Sequence, residues 1–118
     1  MQLLTTKPSA DDSVMRVTRY IDEHIDEPLS LSALSDVAGL SITHLKRRFR
    51  QITGRAIHQY VVNARVAFAV REISTGGVPL ADLARRAGFA DQSHMARWMK
   101  RLAGATPSAI AGKHEGLR

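Results

Sequence analysis

The chain repeats itself. Leu31, Leu34, Ala38 and Gly39 recur 49 residues later as Leu80, Leu83, Ala87 and Gly88. Past the glycine the offset becomes 50, so that Leu45, Arg47, Phe49, Ile52 and Gly54 return as Met95, Arg97, Met99, Leu102 and Gly104. Recurrence at a nearly fixed spacing marks one supersecondary unit used twice. Each copy is a short apolar-periodic stretch, a glycine, and a second stretch with apolar residues on one face. That is the pattern of two helices joined by a tight turn. Alanine just before each glycine lets the two helices approach closely, and the glycine lets the backbone leave the first helix with positive φ.

The rest of the chain reads as helix as well. Val14, Val17, Ile21 and Ile25 recur at spacings of three and four after Ser13, a candidate cap, and Pro28 marks the end of that stripe. Ser30 caps the segment that stops at Gly39, and Ser41 caps one in which Ile42, Leu45, Phe49 and Ile52 form the inner face. A longer helix follows from about Ala56 to Ser74, with Ile57, Val61, Ala64, Phe68 and Ile73 as its inner side, until Thr75-Gly76-Gly77 breaks it. Asp91 caps the second copy's later helix, in which Met95, Met99 and Leu102 point inward. Thr106-Pro107 opens a last short helix around 108–111. The expectation is an all-α fold of seven helices with no strand. It divides into a loose arm (1–12), a domain (13–111) and a tail (112–118). Within the domain lie a first helix-turn-helix unit (13–54), a linker helix (55–75) and a second unit (78–111).

Charge is distributed unevenly along this plan. The net charge of +6 combines 17 Lys and Arg with 11 Asp and Glu. Residues 1–40 carry three basic and seven acidic side chains, whereas residues 41–118 carry 14 basic and four acidic ones. A polyanion is drawn to the second part and not the first. In the first copy's later helix, Thr43, Lys46, Arg47 and Arg50 share the face opposite the apolar stripe. The second copy presents Gln92, Ser93, Ala96 and Arg97 in the same place. Arg pairs bidentately with guanine, Gln with adenine, and Ala touches a thymine methyl, so these eight are the candidate base readers. Ser41, His44, Arg48, Arg55, Arg85, Arg86, Lys100 and Arg101 flank them and are the candidate phosphate contacts. A linker of about 19 residues makes a rod of about 28 Å, against about 34 Å between successive major-groove faces, so one monomer reaches two groove segments of a bent duplex.

At this point the residues resemble a known family. The stretches AGLSITHLKRRFRQITG (38–54) and AGFADQSHMARWMKRLAGATP (87–107) resemble the DNA-binding domain of AraC/XylS-type bacterial transcription regulators, and the likeness extends over nearly all of 14–111. The resemblance implies two helix-turn-helix subdomains on a long linker helix. It also implies monomeric reading of two consecutive major grooves, and activation by contact with RNA polymerase. Its base-reading slots fall on Thr43, Lys46 and Arg47 and on Gln92, Ser93 and Arg97, and Arg65 matches a characteristic linker-helix arginine. The chain departs from the family in having His94-Met95 where an aromatic pair is usual, Met99 where Phe is usual, and Ala109-Ile110 after the Thr-Pro. Methionine at two core positions packs less rigidly. Most such regulators also carry an effector-sensing or dimerisation domain, which this sequence lacks. The chain then acts alone, under control of its abundance or a partner, or is a fragment of a longer regulator.

Other chemistry finds little support. The five histidines lack metal-ligand spacing, there is no phosphate-binding glycine loop or nucleophile elbow, and cysteine is absent. His44 and His94 read as packing or phosphate partners, and Trp98 as a half-buried anchor. No enzyme activity, cofactor or metal is expected. The expected partners are double-stranded DNA and RNA polymerase, without a membrane, in the bacterial cytoplasm and on the nucleoid when bound. The competing reading is a basic helical module that binds an acidic protein.

Overall fold

In the computed structural model, residues 10–115 are described, with side-chain burial for 11–112. Those residues form seven helices and no strand: α1 (Ala10–Glu23), α2 (Leu31–Ala38), α3 (Ile42–Thr53), α4 (Ile57–Thr75), α5 (Leu80–Arg86), α6 (Gln92–Ala103) and α7 (Pro107–Glu115). Two boundaries differ from the expectation. Helix α1 begins at Ala10, so Ser13 is not its cap but a buried residue inside it, and Asp11 and Asp12 supply the negative charge that favours a first turn. Helix α7 runs past Ala111 to Glu115, since Gly112 weakens a helix without ending one. The remaining arm (1–9) and tail (116–118) lie outside the described residues.

The helices group into two units. The first holds the described residues up to His24 together with Leu29–Tyr60, and the second holds Ile25–Pro28 together with the residues from Val61 onward. The first unit is built by α1, α2, α3 and the opening turn of α4. Val14, Val17 and Ile21 of α1 are fully buried, as are Leu34, Leu45 and Phe49. Arg16 of α1 donates from Nη1 to the Val37 carbonyl at 3.0 Å, satisfying an oxygen at the end of α2. Ser30 and Ser41 cap α2 and α3, each hydroxyl accepting an amide three residues on at 3.1 Å. Between the helices Gly39 takes a left-handed conformation (φ 68°), and its amide bonds back to the Ser35 carbonyl at 2.9 Å. The Ser35 hydroxyl donates to the Leu40 carbonyl and closes the turn.

The second unit repeats the plan with other means. Leu83, Ala84, Ala87, Met95 and Met99 have no exposed surface, and they pack with Val62, Val66, Ala69 and Ile73 of α4 and with Phe89 of the turn. Phe68, Val70, Trp98 and Ile110 lean on this core from its rim. On α4, then, Val62, Val66 and Ala69 are buried, whereas the expected Ala64 and Phe68 are only half-buried. A single apolar period does not describe a helix whose first turn serves one core and whose remainder serves another. Leu102, expected inside, is 42% exposed, and Ile42, its counterpart in error, is 39% exposed. Both sit on the margin of their helix's apolar stripe, outside the part that the neighbouring helices cover.

The chain segment Ile25–Pro28 belongs to this second unit although it directly follows α1. Ile25 is buried, and Arg65 on α4 donates from Nη2 to the Glu27 carbonyl at 3.0 Å. A Cβ on Gly88 would lie 2.2 Å from the Ile25 carbonyl oxygen and 2.6 Å from Arg65 Nε. The α5–α6 turn therefore rests directly on that segment.

Candidate nucleic-acid interface

The two second helices, α3 and α6, carry the residues of interest, and helical spacing decides what each can face. Leu45 and Phe49 hold α3 to the first core, and Met95 and Met99 hold α6 to the second. One turn round from them, Thr43, Lys46, Arg47 and Arg50 on α3 are exposed, as are Gln92, Ser93 and Arg97 on α6, while Ala96 is half-buried. Among the described residues no hydrogen bond or ion pair engages the side chains of Lys46, Arg47, Arg50, Gln92, Arg97 or Lys100. Each unit thus brings its expected readers together on one accessible face. On α3 three cations stand there without an acidic neighbour on the same helix, a costly arrangement unless an anion approaches.

The flanking residues sort differently. Ser41 and Asp91 are the N-caps of the two helices, accepting the amides of His44 at 3.1 Å and His94 at 2.8 Å. Arg55 and Lys100 are exposed. Arg48 is drawn away from the reading face, pairing with Asp11 of α1 and donating to Gln51 Oε1 at 2.6 Å. Arg85 pairs with Asp82 at 2.6 Å and Arg86 with Glu72 at 2.5 Å. Arg101 lies over the Trp98 ring, 5.4 Å from its centroid. Arg48, Arg85, Arg86 and Arg101 therefore already have protein partners; Gln51, Asp82 and Trp98 lie three residues off on the same helix, whereas Asp11 and Glu72 lie on other helices, beyond what spacing along one helix reveals. The exposed ion pairs hold these arginines loosely, since such pairs contribute about 0–1 kcal/mol.

Neither histidine points freely outward. His44 is half-buried. His94 packs edge-on against Phe89 with centroids 5.7 Å apart, and Trp98 Nε1 donates to His94 Nε2 at 3.1 Å. The Ala90 amide approaches the other ring nitrogen, Nδ1, at 3.4 Å, and since a neutral imidazole accepts at one nitrogen only, the two donors compete for it and the shorter Trp98 bond is the stronger. His94 and Trp98, one turn apart, thus form a hydrogen-bonded ring pair on α6. Trp98 is the expected half-buried anchor.

Comparison with known proteins agrees with this fold. A family model described as a helix-turn-helix domain matches residues 34–112. The regulatory protein SoxS of Salmonella typhimurium is 32% identical over 80% of this chain and 89% of its own length. The chain belongs to the AraC/XylS helix-turn-helix family. Members of the AraC/XylS family are DNA-binding regulators of transcription, and this chain is one of them. An uncharacterised regulator of Staphylococcus aureus (strain COL) is also 32% identical, over 91% of this chain, but the match spans only 14% of that longer protein. Among solved structures, the DNA-binding domain of AdpA in complex with a target DNA superposes with a TM-score of 0.85 at 27% identity, covering 90% of this chain and 96% of that one. No helix among the described residues is long and apolar enough to cross a membrane.

Proposed function

We propose that the chain reads a specific duplex sequence by placing α3 and α6 in consecutive major grooves, each recognising its own half of one site. The observation that carries this reading is the pairing of two like faces: Thr43, Lys46, Arg47 and Arg50 on one second helix, Gln92, Ser93, Ala96 and Arg97 on the other. In this reading Arg47 and Arg97 pair with guanines and Gln92 with an adenine, while Ser41, His44, Arg55 and Lys100 set the register on phosphates. Arg85, Arg86, Arg48 and Arg101 join the phosphates by exchanging their present partners for DNA. One copy of the chain suffices for one site, because it supplies two readers. Bound there, in the cytoplasm and on the nucleoid, it acts on transcription as an activator that contacts RNA polymerase.

Selection of bound duplexes from a random pool near physiological salt tests this reading. Two enriched sub-sites about one helical turn apart are the expected result. One sub-site alone would reduce the second unit to a backbone clamp. No enrichment would overturn the reading and leave a basic module for an acidic protein.

A further inference from the structure

The sequence repeat and the exposure pattern together single out a residue that neither assigns alone. Ile42 opens α3 and is 39% exposed, against none for Leu45 and Phe49 three and seven residues on. At 3.6 residues per turn it sits on the border between that buried stripe and the face of Thr43, Lys46, Arg47 and Arg50, one turn before Lys46. The offset of 50 that relates α3 to α6 makes Gln92 its counterpart, the first residue of the second reading helix. A large aliphatic side chain held at the rim of a face with three cations has no polar work to do there. What DNA offers to such a group in the major groove is the 5-methyl of thymine.

We propose that Ile42 is a specificity-determining residue that recognises a thymine methyl in the sub-site read by the first unit. This inference rests on the reading of α3 as a major-groove helix. Cations at Lys46, Arg47 and Arg50 bring the phosphates and guanines in, and Ile42 then buries one methyl group at its edge. The selectivity is small but directional: thymine is favoured over cytosine and over uracil, which lacks only that methyl. Burial of one methyl-sized group corresponds to about a threefold to fivefold change in affinity.

The test uses the intact chain and a duplex from the random-pool selection, with each thymine of the first sub-site replaced in turn by uracil. One replacement is expected to weaken the wild type about threefold to fivefold, and Ile42→Ala should bind the thymine and uracil duplexes equally. A second variant, Ile42→Gln, copies the residue at the start of α6 and should shift the preferred base at that position from thymine to adenine. Circular dichroism and retained binding to the second sub-site show that both variants fold. A wild type indifferent to every uracil, a selected first sub-site without thymine, or an Ile42→Ala variant that still distinguishes the two bases would each overturn the proposal. The reading of α3 as a groove helix would survive those results, because it falls only if the selection itself enriches nothing.

Discussion

The two helix-turn-helix units reach one geometry under different constraints, and their turns show it best. Gly39 in the first unit has φ 68° and nothing within 4 Å of where a Cβ would stand. Gly88 in the second has φ 85° and would drive a Cβ into the Ile25 carbonyl at 2.2 Å and Arg65 Nε at 2.6 Å. The first turn asks glycine only for its backbone freedom. The second asks also for its lack of volume, because the α5–α6 turn is seated on Ile25–Pro28 and on the half-buried Arg65. Arg65 shows the cost of that seat: Nε is buried with no hydrogen-bond partner among the described residues, and desolvation lowers its pKa. The cores differ in the same sense. The first unit is filled by Leu45 and Phe49, with Tyr60 edge-on to Phe49 at 5.4 Å, and the second by Met95 and Met99. Flexible methionines fill the second core, and a crowded turn fixes the helix that carries them.

The sharpest way to break this comparison is to give each glycine a methyl group. Gly39→Ala is expected to cost about 1–2 kcal/mol, the penalty for an L-residue in the left-handed region. Gly88→Ala adds to that the overpacking of a closed site, about 1–3 kcal/mol more, and should be the most damaging single change of the set. Urea unfolding followed by the fluorescence of Trp98, the chain's one tryptophan, reads the effect in the second unit, and the methyl resonances of Leu45 read it in the first. Equal losses for the two variants would mean that the Ile25 carbonyl moves aside and the turn is not seated as described.

Arginine truncation compares the two reading faces. Arg47→Ala and Arg97→Ala should each lose about 1–3 kcal/mol of discrimination at one base pair, the first in one sub-site and the second in the other, with folding intact. Uniform weakening on every sequence would make them phosphate contacts instead. A smaller effect concerns salt. Arg55→Ala should lower the slope of log affinity against log salt by about 0.9, whereas Arg86→Ala should lower it less, because Glu72 already balances that charge. Glu72→Gln should raise affinity on specific and unrelated duplexes alike. If it leaves both unchanged, Arg86 does not reach DNA.

What the sequence made legible follows from the range of the interactions involved. Seven helices, the Ser30, Ser41 and Asp91 caps, the positive φ of Gly39 and Gly88 and the exposed faces of α3 and α6 depend on residues within one or two turns and were readable from spacing, whereas Ser13 proved to lie inside α1 and not to cap it. Long-range placements were not. Nothing local in Ile25–Pro28 says that it belongs with Val61 onward, and nothing around Phe89 marks it as core except its glycine neighbour. Arg48, Arg85 and Arg86 look equivalent to Lys46 and Arg47 in a charge count. Partners 37 residues away (Asp11) and 14 residues away (Glu72) set Arg48 and Arg86 apart, whereas the Asp82 partner of Arg85 is an i,i+3 neighbour whose pairing was open to a local reading. Ile42 was misplaced for another reason. An apolar residue at the margin of a stripe satisfies the period whether or not anything covers it, and only the packed neighbours decide.

The smallest expected effect sharpens the comparison at the start of the helices that follow each reader. The same offset of 50 places Tyr60 of the first unit opposite Ile110 of the second, and both are half-buried. Burial pushes the Tyr60 phenol above its ordinary value. The neighbouring Asp22 charge, with the hydrogen bond to its Oδ2 at 3.5 Å, pushes the same way, while Thr18 and Arg55 oppose more weakly. The fold therefore favours the neutral phenol. Below the unfolded pKa near 10.0 that preference costs nothing and the full stability is present. As pH rises past it, the unfolded chain gains by releasing the proton and the first unit loses stability, until the folded phenol itself ionises. Ile110 has no proton to lose. Methyl resonances of Leu45 and Met95, followed in mild urea from about pH 9 to 11, should show the first unit opening at lower denaturant as pH rises and the second holding. Tyr60→Phe should remove the difference, and a slope that survives in that variant would place the alkaline sensitivity elsewhere.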